Sequence, residues 1–275
     1  HIQATGVDDA GRKQYLYHPD WRTRRDQLKF DEMTEFAAAL PRLRKRLERD
    51  LRGDEPSRER VLAGAVRLLD LGFFRVGGER YAKENRTYGL ATVKKSHVTC
   101  ERDAVVFDYR AKGSKRHKRE ISEPEVERLV RELKRRRGGG EELLAYKDGR
   151  RWRDVSSADI NAYIKEVTGG EFSAKDFRTW NATVLAAASI AVLDDGAESA
   201  AARKRVVTKA VKKVASYLDN TPAVCRSAYI DPRVIDRYEA GATIADRLEE
   251  IVEDAEPSEF PERDEIEKAV LELIG

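Results

Sequence analysis

What this sequence lacks narrows its chemistry before any motif is considered. It has two cysteines in 275 residues, Cys100 and Cys225, too far apart for a metal-binding spacing. So few thiols exclude a disulfide scaffold and point to a reducing compartment. The four histidines, His1, His18, His97 and His117, make no ligand pair, and neither HExxH nor CxxC occurs. There is no GxxxxGK[ST] loop to cradle a nucleoside triphosphate and no GxSxG elbow to present a serine. The longest apolar run, residues 182–193, falls short of the roughly 20 residues that cross a bilayer, and no signal-peptide pattern is found. A cytoplasmic chain with no cofactor, no metal and no membrane partner is expected. It begins at His1 rather than Met, which is read as the mark of a fragment whose upstream residues have been removed.

Charge is abundant. Ionised residues make up 37% of the chain and hydrophobic ones 40%, the balance of a globular protein with a heavily charged surface. The net charge of +3 conceals a strong division. Residues 244–275 hold twelve acidic and three basic side chains, a net of −9, which leaves +12 on residues 1–243. A surplus of that size fits a polyanion, DNA and RNA alike, and equally a merely solvated basic surface. An enzyme that acts on phosphate without a metal must neutralise the developing charge with arginine and lysine.

The periodicity reads as a mainly α chain with a small antiparallel β-sheet inserted, an α+β class. Residues 14–17 read as a strand or hairpin. A helical pattern covers 21–51, with Pro41 kinking or restarting it. Ser57 caps a helix whose apolar face is Val61, Leu62, Ala65, Leu68 and Leu69. Residues 97–121 change to period two, with turns near Arg102 and Gly113. Ser122 is expected to cap the next helix, which stops before Gly138. Ser173 and Asp176 cap a helix that continues through the apolar run, with Trp180 in the core. A basic amphipathic helix over 200–218 and a short acidic one over 264–274 follow. The division expected is an N-terminal remnant and linker over 1–18, a catalytic domain over 19–242 and an acidic tail over 243–275, docked on the basic surface or merely solvated.

Four segments carry more specific information. The stretch from Phe73 through Arg75, Gly77, Gly78, Tyr81 and Tyr88 to Thr92 closely resembles the first catalytic-arginine segment of the poxvirus-like type IB DNA topoisomerases. Tyr109-Arg110-Ala111-Lys112-Gly113 with His117 resembles their lysine-bearing β-hairpin. Lys175-Asp176-Phe177-Arg178-Thr179-Trp180 resembles the second arginine motif. Asn220-Thr221-Pro222-Ala223-Val224-Cys225-Arg226-Ser227-Ala228-Tyr229 resembles the segment with the nucleophile. Residues 11–17 are similar to the end of the family's N-terminal β domain. A lone tyrosine is usually part of a core, and a lone arginine usually a surface charge; four segments in the family's order are specific.

The resemblance implies the catalytic fold shared by tyrosine recombinases and type IB topoisomerases. It implies that Tyr229 attacks a DNA phosphorus to leave a 3′-phosphotyrosine, that Arg75 and Arg178 hold the non-bridging oxygens, and that Lys112 protonates the departing 5′-oxygen. Asn220 stands where the viral members usually have His. It can donate a hydrogen bond but carries no charge, a replacement that the resemblance places in the family's bacterial branch. Gly78 falls where a basic residue is common. Contacts to double-stranded DNA are expected from Arg12, Tyr15, Tyr17, Tyr81 and Lys175, in a monomeric, nucleoid-associated enzyme that relaxes supercoils without ATP. A tyrosine recombinase is the nearest alternative, but Lys175 replaces the histidine of its HxxR motif. A non-catalytic DNA-binding module is the alternative of another kind.

Overall fold

The computed structural model describes residues 1–9, 11, 13–254 and 263–275, and only the backbone of 22, 23, 26, 80, 81 and 252–254. Arg12 and the side chain of Tyr81 therefore lie outside the described residues. The expected mainly helical chain with small antiparallel sheets is what forms. A hairpin of β1 (Ile2–Val7) and β2 (Lys13–Tyr17) precedes α1 (Pro19–Leu51), in which Pro19 occupies the first turn and needs no N–H partner. Pro41, expected to kink or restart this helix, lies inside one continuous helix of 33 residues. α2 (Arg58–Gly72) is capped by Ser57, whose hydroxyl accepts from Arg60 N at 3.2 Å. Its five predicted apolar positions are all buried.

A short helix, α3 (Glu79–Asn85), leads to the three-stranded sheet. Its strands are β3 (Val98–Cys100), β4 (Val105–Arg110) and β5 (Arg116–Ile121), in the order β3-β4-β5, with Tyr109 opposite His117. α4 (Pro124–Arg135) starts after Glu123, which makes no side-chain cap; Ser122 is not the cap, because the chain turns helical one residue later than the sequence pattern implied. A second hairpin, β6 (Ala145–Asp148) with β7 (Arg151–Asp154), and α5 (Ser157–Thr168) follow; no period-two pattern announces the hairpin, whose strands are four residues each.

α6 (Ala174–Leu193) is the central helix, with Phe177, Trp180, Ala182 and Ile190 buried. Ser173 and Asp176 close its N-terminus as a capping box, as expected from their spacing. α7 (Ala200–Leu218) packs along α6 with its predicted apolar face inward. α8 (Pro222–Ala228) and α9 (Pro232–Glu239) return the chain toward α6, and α10 (Ala245–Asp254) precedes α11 (Arg263–Ile274).

α11 is packed into the body, with Ala269, Val270 and Ile274 buried. Its charges enter too. Asp70, 1% exposed near the end of α2, meets Arg44 at 3.0 Å, Arg67 at 2.9 Å and Arg263 at 3.0 Å. Arg44 also pairs with Glu267 at 2.9 Å. Burial alone would raise the Asp70 carboxyl; the facing charges of Arg263, Arg44 and Arg67 outweigh it and hold the group below its ordinary range. Asn181 of α6 donates to Asp70 O at 2.9 Å and accepts from Arg263 at 2.6 Å, so α11 ties α2 to α6. No helix among the described residues is long and apolar enough to cross a membrane.

Candidate active site

Arg75 follows the end of α2, where Phe73 turns the chain through the left-handed region (φ 56). The segment is then held by close backbone contact. Leu90 N donates to Arg75 O and Ala91 N to Val76 O, each at 2.8 Å. Gly77 (φ 82) and Gly89 face one another so closely that a Cβ on Gly89 would lie 2.4 Å from Gly77 Cα. Only glycine fits either position. Backbone that is fixed on both sides gives the Arg75 side chain a defined origin.

The guanidinium of Arg75 reaches the loop after α7. Nη2 donates to Asn220 Oδ1 at 2.7 Å and to Leu218 O at 3.1 Å. Arg178, from the second turn of α6, donates to the same Leu218 O at 2.9 Å and to Phe73 O. Two cations thus share one carbonyl. Arg178 is 3% exposed, and burial with the nearby charge of Arg75 pushes its pKa down to about 10, so it is still charged near neutrality.

Tyr229 caps the C-terminus of α8. Its N–H donates to Cys225 O at 3.0 Å, and its carbonyl accepts from Thr183 of α6 at 3.4 Å. The ring is half-buried, with the Arg178 guanidinium 5.3 Å from its centroid. Burial would raise this phenol; the charge and hydrogen bond of Arg178, with Arg75 and Lys175 behind them, outweigh it and leave the phenol below its ordinary value.

These groups line one cleft of about 350 Å³, to which Lys112, Lys175, Thr87, Tyr88 and the Gly77–Gly78 backbone also contribute. Lys112 stands exposed at the turn between β4 and β5, where Gly113 (φ 72) and Ser114 (φ 59) reverse the chain. Lys175 projects from the first turn of α6, so the positive end of that helix faces the same space. Among the described residues the lining holds four cationic side chains and no carboxylate. Two buried donors at the site, Arg178 Nε and Asn220 Nδ2, have no partner among the described residues. This is a pocket arranged for an oxyanion beside a phenol.

Arg75, Lys112, Arg178, Lys175 and Tyr229, scattered over 155 residues of sequence, converge here, and Asn220 touches the group through Arg75. Tyr15 and Tyr17 do not line the cleft. They lie on β2, where Tyr17 stacks on Trp21 at 4.4 Å and on Tyr15 at 6.0 Å. Gly78 is at the cleft as the residue preceding α3. Sequence reasoning missed Thr87 and Tyr88, which periodicity cannot separate from core, and it missed the bond between His117 and Asp219. Among the described residues no three His, Cys, Asp or Glu side chains gather as metal ligands.

Residues 18–256 match the family described as eukaryotic DNA topoisomerase I, catalytic core. The chain belongs to this type IB topoisomerase family. Among its relatives is DNA topoisomerase 1B of Acanthamoeba polyphaga mimivirus, 27% identical over 254 residues that cover 86% of this chain and 72% of the relative. DNA topoisomerase 1B of vaccinia virus (strain Copenhagen) is 22% identical over 233 residues, covering 84% and 70%. DNA topoisomerase 1 of Daucus carota is 32% identical over a shorter stretch of 130 residues, 46% of this chain and 15% of that protein. The family model ends before α11, so the helix that ties α2 to α6 lies beyond the part of the chain that it matches. As a type IB topoisomerase, the protein takes DNA as its partner.

Proposed function

We propose that Tyr229 is the nucleophile of DNA relaxation, with Arg75, Arg178, Lys112 and Asn220 as its catalytic partners. The observation that carries the reading is the phenol in a cleft that, among the described residues, holds four cations and no carboxylate. The Tyr229 oxygen attacks a backbone phosphorus, the bond to the 5′-oxygen breaks, and a 3′-phosphotyrosine and a 5′-hydroxyl result. Arg75 and Arg178 neutralise the non-bridging oxygens as charge grows, and their planar forks suit two oxygens at once. Asn220 donates its unpartnered N–H to the same group. Lys112 supplies the proton to the leaving oxygen, a role open to an ammonium that can give up a proton and closed to a guanidinium. After the nicked strand swivels, the 5′-hydroxyl returns and the steps reverse. The phosphotyrosine keeps the energy of the phosphodiester, so neither ATP nor metal enters.

Lys175 is assigned to a phosphate contact in the cleft, and Arg12, Tyr15, Tyr17 and Tyr81 to DNA contacts outside it. Residues 19–242 form the catalytic unit. We also assign the chain to the bacterial branch of the family on the strength of Asn220, and read it as a nucleoid-associated monomer on the +12 surplus of residues 1–243.

Incubation with duplex DNA should give an SDS-resistant protein–DNA band that Tyr229→Phe abolishes. Supercoiled plasmid should relax in EDTA without ATP. A band that persists in Tyr229→Phe, or a strict need for metal, would remove the assignment.

A further inference from the structure

Asp219 occupies a backbone conformation suited to glycine. It ends α7 in the left-handed region (φ 54, ψ 37), which residues with a Cβ adopt at a cost in strain. Its side chain is taken up by His117, which is 1% exposed. Nδ1–H of His117 donates to Asp219 Oδ2 at 2.5 Å, and Arg119 stands 3.9 Å from the same oxygen. The other ring nitrogen of His117 is buried without a partner among the described residues, so the ring is anchored at one end only.

Both ends of this bond lead to the catalytic groups. Leu218 and Asn220, the neighbours of Asp219, accept from Arg75, and Leu218 also accepts from Arg178. Asp219 O itself lies 3.5 Å from Arg75 Nη2. His117 sits on β5 opposite Tyr109, and Tyr109 lies three residues before Lys112. Its ring packs edge-on against Phe74, the residue before Arg75, at 5.1 Å. The His117–Asp219 hydrogen bond, beside the bond from Arg119 of the same strand to Tyr217 O, therefore joins the lysine hairpin to the loop that receives both arginines.

We propose that His117 and Asp219 form a latch that fixes the 218–220 loop, so that Arg75 and Arg178 present their free N–H groups to the phosphodiester. Both are positioning residues and touch no reacting atom. The inference rests on the assignment of the two arginines to the phosphate.

Asp219→Gly separates the latch from the fold, since glycine accepts φ 54 without strain while the carboxylate is lost. Affinity for duplex DNA should hold, while the single-turnover rate of adduct formation falls about ten- to a hundredfold, the scale of a small displacement of catalytic groups. His117→Phe should lose as much. His117→Asn, whose amide N–H can take the place of Nδ1–H, should recover most of the rate. The double variant His117→Phe with Asp219→Gly should be no slower than the slower single variant. On a substrate whose leaving oxygen is replaced by sulfur the loss should persist, because the arginines are still needed there.

Wild-type rates in variants with native thermal unfolding, or losses that multiply in the double variant, would overturn the latch. Full recovery on the sulfur substrate would move its action from the arginines to Lys112 and overturn it as stated. Failure of the wild type itself to form an adduct would remove the reading of the whole site; an adduct with undiminished variants removes the latch alone.

Discussion

The Arg178 guanidinium lies 5.3 Å from the centre of the Tyr229 ring, and its charge opposes the effect of burial on the phenol. The two residues come from different helices, 51 positions apart in sequence, and α8 is held against α6 by Thr183, which meets the Tyr229 carbonyl. In the proposed reaction one guanidinium favours the phenolate before attack and neutralises phosphate oxygens during it.

The pairing fixes the sign of a pH effect. The phenol titrates below its ordinary value of about 10, so it ionises at lower pH than a free tyrosine. Measured on the sulfur substrate, whose leaving group needs no proton donor, cleavage should rise with pH and level off below 10. Arg178→Ala should shift that midpoint upward, because burial then acts with less opposition, and should cost about a hundred- to a thousandfold in rate. An unmoved midpoint would separate Arg178 from activation of the phenol.

Lys112 stands at a hairpin tip without an ion-pair partner among the described residues. Lys112→Ala should slow cleavage of ordinary DNA by about a hundredfold or more, yet cleave the sulfur substrate at close to the wild-type rate. Equal losses on both substrates would take the proton-donor role from this residue.

Asn220→Asp puts a carboxylate where Arg75 now meets a neutral oxygen and removes the free N–H. Cleavage should fall by about a hundredfold or more, with DNA affinity little changed. Asn220→Ala should lose less, since no charge opposes the phosphate. The reverse ranking would mean that Asn220 acts only through packing.

The buried cluster around Asp70 sets a stability test. Its folded carboxyl titrates below the unfolded value of 3.8. The stability it adds is present above that value and is lost as pH falls through the depressed folded one. Asp70→Asn removes the buried carboxylate that Arg44, Arg67 and Arg263 share, leaving Glu267 and Glu123 as their partners, and should cost about 3 kcal/mol. Urea unfolding at neutral pH measures the loss, and a difference below about 1 kcal/mol would show the cluster to be solvated in solution. The variant should also lose part of the acid dependence below about pH 4.

Short-range patterns were legible in the chain itself. Ser57 and Ser173 announced helix starts because a cap needs only a side chain and an N–H two or three residues away. The inward faces of α2 and α7 followed from helical spacing. Arg75, Lys112, Arg178 and Tyr229 were visible through motif order. The hairpin of β6 and β7 was not, because four-residue strands carry too little periodicity to register. Whether the acidic tail docks or is merely solvated was not legible, since net charge says nothing about which arginines a carboxylate will meet.

The sequence by itself determined the cast: which residue types can attack, neutralise and protonate a phosphodiester, and in what order they occur. The tertiary structure alone decided that Leu218 O receives both arginines, that Asp219 turns left-handed to meet His117, and that α11 enters the core beside Asp70. Each of these joins residues more than 35 positions apart, and such pairs are fixed by packing of whole helices rather than by local preference.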